Sequence, residues 1–120
     1  SRYFIEGIVS YAYQSKITRL GVKLQTLKKY GAVSPQTVKE MAEGSRKNAR
    51  TDYALGITGI CGPGGRTTKK PVGLVYIACA TPKHTLIKKY LFVGTRLAIK
   101  QRSAIAALDL LRRELHTPTQ

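Results

Sequence analysis

The stretch "TGICGPGGRTTKKPVG", Thr58 to Gly73, holds the residues best suited to chemistry. Gly59, Gly62, Gly64 and Gly65 let a backbone turn several amide N–H groups toward one anion, and Pro63 stiffens the turn. Arg66, Lys69 and Lys70 add positive charge beside it. The spacing is neither that of a Walker loop nor that of a dinucleotide fingerprint. On spacing alone, a phosphate cradle and a long connection between two strands are equally good readings. A second pair is Tyr11 and Lys16. A lysine beside a tyrosine lowers the phenol pKa, or acts as a base once desolvated. By themselves the two residues also suit a sheet-packing tyrosine and a solvated lysine. Arg96 and Arg102 offer planar, permanently charged forks for a phosphate, or serve simply as surface arginines. Cys61 lies on the glycine loop with no base beside it, so it is not expected to be a nucleophile.

These residues need elements to hold them. "YFIEGIVSYAY", Tyr3 to Tyr13, is rich in β-branched and aromatic residues and reads as a strand. A short helix over Lys16 to Leu20, closed by Gly21, would carry Lys16, and Leu24 to Gly31 adds a helical turn or two. Ser34-Pro35 opens a clearer helix, with Val38, Met41, Ala42, Ser45 and Ala49 as its inward stripe. Tyr53 to Gly59 is a strand that runs into the glycine loop. Val72 to Ala80 is almost wholly apolar, as a strand buried on both faces would be. Thr81-Pro82-Lys83 then turns the chain into "HTLIKKYLFVG", which should pair back as an antiparallel hairpin. Thr95 to Leu115 reads as a long helix whose packed face is Leu97, Ala104, Leu108, Leu111 and Leu115, with Ile105 beside them. Residues 116–120 read as a frayed tail.

The order β-α-β-β-β-α in 120 residues predicts one α/β domain over residues 1–115. Two convincing helices are few for a four-stranded sheet, so an N-terminal piece is expected to be missing, or the domain to be completed by a partner chain.

Composition narrows the function classes. The chain has 21 Lys plus Arg against 6 Asp plus Glu, a net charge of +15. That field favours polyanions and phosphorylated ligands. The charges are scattered in doublets, Lys28-Lys29, Lys69-Lys70, Lys88-Lys89 and Arg112-Arg113, with no basic strand interleaved by aromatics. Dedicated nucleic-acid binding is therefore not expected. No apolar run reaches the roughly 18 residues of a membrane span, and the chain opens Ser1-Arg2-Tyr3-Phe4 without a leader pattern. Cys61 and Cys79 lack metal-ligand spacing, and His84 and His116 have no partners at useful spacing, so no metal is expected. Together these features read as a cytoplasmic, reduced protein.

In combination, "YFIEGIVSYAYQSKITRLGV", "YGAVSPQTVKEMAEGSRKN", "YALGITGICGPGG", "KPVGLVYIA" and "AALDLLRREL" resemble the CinA C-terminal domain family, in that family's order and from Ser1 to Leu115. The family includes stand-alone nicotinamide-mononucleotide deamidases. The resemblance implies a three-layer α/β/α sandwich with a mixed sheet. It also implies hydrolysis of nicotinamide mononucleotide to nicotinic acid mononucleotide and ammonia, without metal or organic cofactor. A serine nucleophile works there with a tyrosine and a lysine, which fall on Tyr11 and Lys16. Thr58 and Gly59 would lie near the substrate, Gly62, Gly64 and Gly65 would shape the pocket, and Arg96 or else Arg102 would contact the nucleotide.

Two departures stand out. The family's nucleophile sits in an SCTGG motif ahead of the tyrosine, and no SCTGG occurs in these 120 residues. Cys61 stands where the family more often has alanine. The expectation is thus an amidohydrolase-family domain that is inactive or impaired on its own, in which a homodimer would fit the incomplete sheet. The competing expectation is a non-catalytic basic protein that binds nucleic acid or a protein partner in competence or the DNA-damage response.

Overall fold

The computed structural model of the chain describes residues 20–62 and 70–116. Tyr11, Lys16, Gly64 and Gly65, and the strand expected over Tyr3 to Tyr13, lie outside the described residues. Helices α1 (Leu24–Tyr30) and α2 (Pro35–Ala49) come first, followed by strands β1 (Ala54–Gly59), β2 (Leu74–Ala80) and β3 (Thr85–Leu91), then helix α3 (Arg96–His116). The described strands form an antiparallel sheet in the order β1-β2-β3. One face is covered by α2 and the other by α3, which gives the three layers expected of an α/β sandwich. No described helix is long and apolar enough to cross a membrane.

β2 is central because it can be buried on both sides. Val75, Ile77 and Cys79 point toward α3 and meet Ile99, Ala107 and Leu110. Ala78 and Ala80 point the other way, against Val38 and Ala42 of α2. The small residues on that face let α2 lie close to the sheet: a Cβ on Gly56 would stand 3.1 Å from the Val38 carbonyl oxygen. As expected, β2 and β3 form a hairpin, closed by Thr81 N–H donating to His84 O at 2.8 Å.

The caps explain where the helices begin and end. Ser34 is the N-cap of α2: its Oγ accepts from Thr37 N–H at 3.1 Å, with Pro35 as first helical residue. Gly31 ends α1 at φ +82°. The start of α1 has no cap of its own. Glu40 of α2 supplies one from a distance, accepting from Lys23 N–H at 2.8 Å and from Thr26 Oγ1 at 2.6 Å. Thr95 caps α3, its Oγ1 accepting from Ala98 N–H at 3.2 Å. The helix runs one residue past the expected boundary, through His116.

The face of α3 needs correction. The sheet takes Ile99, Ser103, Ala107 and Leu110, whereas Leu97, Ile105, Leu108 and Leu115 are 56–67% exposed. The helix is apolar over more than half its circumference, so periodicity alone finds two candidate stripes. The choice between them falls to the residues that fit against Val75, Ile77 and Cys79. Ser103 is tolerated on the buried face because its Oγ donates to Ile99 O at 2.7 Å.

Candidate functional site

The glycine loop leaves β1 and returns into β2 at one end of the sheet, so it is also the long antiparallel connection that spacing left as an alternative. The ladder continues past both strands: Ile60 N–H donates to Leu74 O at 2.9 Å, and Gly73 N–H to Ile60 O at 2.6 Å. Phe92 N–H donates to Gly73 O at 2.9 Å, which brings the segment between β3 and α3 to the same place. Gly73, at φ +95°, has no room for a side chain because the Phe92 carbonyl occupies that space.

Three motifs converge on this end of the sheet. Thr58, buried at the end of β1, donates from Oγ1 to Ala32 O at 2.8 Å across 26 residues of sequence. Ala32 belongs to the Gly31-Ala32-Val33-Ser34 turn ahead of α2. Gly31 O accepts from Thr37 Oγ1 at 2.6 Å and from Ser34 Oγ at 3.0 Å, so this turn is held rigidly. Lys70, which follows the loop, donates from Nζ to Tyr30 O at 2.6 Å, just ahead of the same turn. Sequence reading treated Lys70 as charge alone and gave the Gly31–Ser34 turn no place at the site. Their contact is long-range, and only the two distinctive motifs at its ends hinted at it.

Both candidate arginines lie at this end, and both are exposed. Arg96, the first residue of α3, directs its guanidinium at the mouth of the glycine loop: a Cβ on Gly62 would lie 3.2 Å from Nη1. Arg102 is one to two turns further on and donates from Nη1 to Val93 O, beside Gly94. Lys70, Arg96 and Arg102 thus lie at the same end of the sheet. Cationic side chains gathered there suit an anionic group better than a cation or a purely apolar ligand. Gly59 has a packing reason of its own, since a Cβ there would come within 2.8 Å of Val75 Cγ2.

Cys61 is half-exposed at the loop entrance and packs against the α3-side core. Cys79 is fully buried in β2, and both thiols are free. Burial, with the Glu114 carboxylate adding to it, pushes the Cys79 thiol from 9.0 up to about 11, so it is inert at neutral pH. His84 pairs with Glu114, Nε2 to Oε1 at 2.9 Å, far from the loop at the β2–β3 hairpin. Among the described residues, no group of three His, Cys, Asp or Glu side chains could hold a metal ion.

Comparison with known proteins gives this geometry a context. The CinA C-terminal domain model matches residues 1–115. A CinA-like protein of Endomicrobium trichonymphae is 55% identical over 115 residues, covering 96% of this chain and 27% of that protein. A putative competence-damage inducible protein of Caldanaerobacter subterraneus is 49% identical over the same share of this chain and 28% of its own length. The chain thus spans little more than a quarter of these curated relatives. Among solved structures, the competence/damage inducible protein CihA of Agrobacterium tumefaciens superposes with a TM-score of 0.84 at 36% identity, over 87% of this chain and 64% of that one. A CinA superfamily protein of Enterobacter cloacae gives 0.85 at 32% identity, over 91% and 64%. The chain belongs to the CinA C-terminal domain family.

Proposed function

We propose that the chain forms the nucleotide side of an amidohydrolase site that converts nicotinamide mononucleotide and water to nicotinic acid mononucleotide and ammonia. The observation that carries this reading is the position of the Arg96 guanidinium over Gly62, with Lys70 bound to Tyr30 O and Arg102 to Val93 O at the same end of the sheet. A mononucleotide phosphate needs a fixed cationic fork and a backbone free of side chains beside it. The convergence of the Thr58–Gly62 segment with the Gly31–Ser34 turn supports it further, because two of the five segments that carry the family resemblance meet in one place.

In this reading, a serine from an SCTGG segment outside these 120 residues attacks the carboxamide carbon. The C–N bond breaks, ammonia leaves with the proton the serine gave up, and water then hydrolyses the acyl-enzyme to the carboxylate. Tyr11 and Lys16 handle that proton, in keeping with what a tyrosine and lysine at this spacing do in the family. Ammonia release from nicotinamide mononucleotide tests the reading. The 120-residue chain alone is expected to release little or none, and to release it once an SCTGG-bearing segment is joined to it. Turnover by the chain alone, abolished by Tyr11→Phe, would overturn the claim that the nucleophile lies elsewhere.

The doublets Lys28-Lys29, Lys88-Lys89 and Arg112-Arg113 are all exposed, and they favour a second reading as a polyanion-binding protein. They lie on three separate elements rather than in one stripe. A steep, sequence-independent salt dependence of DNA binding would support this reading, and affinity unchanged between low and high salt would count against it.

A further inference from the structure

A cavity of about 400 Å³ lies between the last turns of α2 and the β2–β3 hairpin, at the opposite end of the sheet from the glycine loop. Along β2, from Leu74 to Ala80, the two ends are about 20 Å apart at roughly 3.4 Å per residue. Arg46 and Lys47 of α2 line the cavity together with Lys83 and His84 of the hairpin. Among the described residues that line it, Glu43 is the one carboxylate, and its Oε2 accepts from Thr85 Oγ1 at 2.7 Å. Three permanent cations therefore meet one acid that is already engaged.

The helix dipole accounts for Arg46 and Lys47 standing in the last turn of α2, but not for Lys83 of the hairpin lining the same cavity. On α3, Arg112 and Arg113 share the Asp109 carboxylate at 2.8 and 3.0 Å. Arg46 and Lys47 have no such carboxylate partner among the described residues. Arg46 is instead oriented by backbone: its Nε donates to Asp52 O at 2.9 Å, so its charge is positioned without being neutralised. The hairpin is held as firmly. Thr81 Oγ1 accepts from Lys83 N–H at 3.2 Å and from His84 N–H at 3.0 Å, and His84 is tied to Glu114 of α3 at 2.9 Å. With Thr85 tied to Glu43, the turn is anchored to the helices on both faces of the sheet. A cavity whose walls are fixed beforehand loses little freedom when a ligand enters.

We propose that this cavity binds the phosphate or diphosphate group of a small molecule, as a site separate from the glycine loop. Oriented cations that no carboxylate neutralises supply the attraction for the anion. Ala80 and Pro82 add apolar surface for an organic portion, and the volume falls within the roughly 300–1,000 Å³ of small-ligand sites. A long polyanion would need a continuous basic track. Lys28-Lys29 stand instead at the far end of the sheet, next to the Gly31 turn, and Lys88, paired with Ile77, belongs to the α3 side of the sheet. The inference does not rest on the amidohydrolase reading, and its test involves no turnover.

The probe is inorganic pyrophosphate, titrated at constant ionic strength into the 120-residue chain while amide NMR shifts are followed. Saturable shifts are expected at Lys47, Lys83 and His84, and Arg96→Gln should leave them as they are. Lys47→Glu, at an exposed position, should keep the thermal midpoint of the chain and weaken binding at these residues about tenfold or more, as loss of a charged contact does. Lys83→Glu should weaken it likewise. Lys88→Glu makes the same change in net charge on the other side of the sheet and should leave the affinity nearly unchanged. The proposal is overturned if no saturable shift appears at the hairpin, or if the shifts are confined to Ile60–Gly62 and Gly73. Equal weakening by Lys47→Glu and Lys88→Glu would also overturn it, because the attraction would then be that of the whole basic surface. Duplex DNA that displaces pyrophosphate from the hairpin and binds there more tightly would replace the small molecule with a polyanion.

Discussion

The Arg96 guanidinium stands against the one face of Gly62 that a side chain would fill, its Nη1 3.2 Å from the place of a Cβ. The arginine and the glycine therefore share a single space at the mouth of the loop. Arg96→Ala removes a charged donor from an exposed rim, so unfolding should be nearly unaffected. Charged hydrogen bonds are worth about 1.5–3 kcal/mol, so nicotinamide mononucleotide should bind roughly 10- to 100-fold more weakly, read by calorimetric titration. Gly62→Val should copy the binding defect by displacing the guanidinium. Unchanged affinity in both variants would remove Arg96 from the site.

Thr58→Val should destabilise the chain while Thr58→Ser should not. The valine cannot donate to Ala32 O and leaves that half-buried carbonyl without this donor, at a cost of about 0.5–1.5 kcal/mol. Serine keeps the hydroxyl. Urea unfolding compares the three proteins, and a loss in Thr58→Ser with none in Thr58→Val would locate the role of Thr58 in its methyl group instead.

Gly44 lies inside α2, where alanine would ordinarily stabilise a helix by about 1 kcal/mol. Here the sign should reverse. A Cβ at Gly44 overlaps the Leu20 carbonyl, which is backbone and cannot swing aside. Gly44→Ala should lower stability by about 1–3 kcal/mol, as overpacking does, and show as a fall in the thermal midpoint.

The two thiols should separate cleanly. At neutral pH a thiol reagent should label Cys61 in the folded chain and leave Cys79 untouched. The folded pKa of Cys79 is raised, so its contribution to stability is complete below about 9 and is lost as pH rises through about 11. Thermal midpoints should fall over that alkaline window, and the fall should be shallower in Cys79→Ala even though that variant starts less stable. Identical alkaline slopes would contradict the assignment.

Much of the frame was legible because its signals are local. The apolar run at β2, the Thr81–Lys83 turn and the Ser34-Pro35 cap each depend on residues within one turn of one another. The inward face of α3 was not legible, because Leu97, Leu108 and Leu115 are as apolar as Ile99 and Leu110, and the shape of the sheet decides between them. The bond from Thr58 to Ala32, the cap that Glu40 gives α1 and the approach of Leu20 to Gly44 join distant parts of the chain. No periodicity encodes such contacts. At the site, spacing alone left the glycine loop open between cradle and connection. The structure makes it a connection between antiparallel strands, and brings Arg96 against Gly62 at its start.

The amidohydrolase reading meets its most direct test in ammonia release from nicotinamide mononucleotide by the chain joined to an SCTGG-bearing segment. The prediction is steady release that disappears with Tyr11→Phe, with Lys16→Ala and with replacement of the motif's serine. A folded protein of this kind that releases no ammonia from nicotinamide mononucleotide would contradict it.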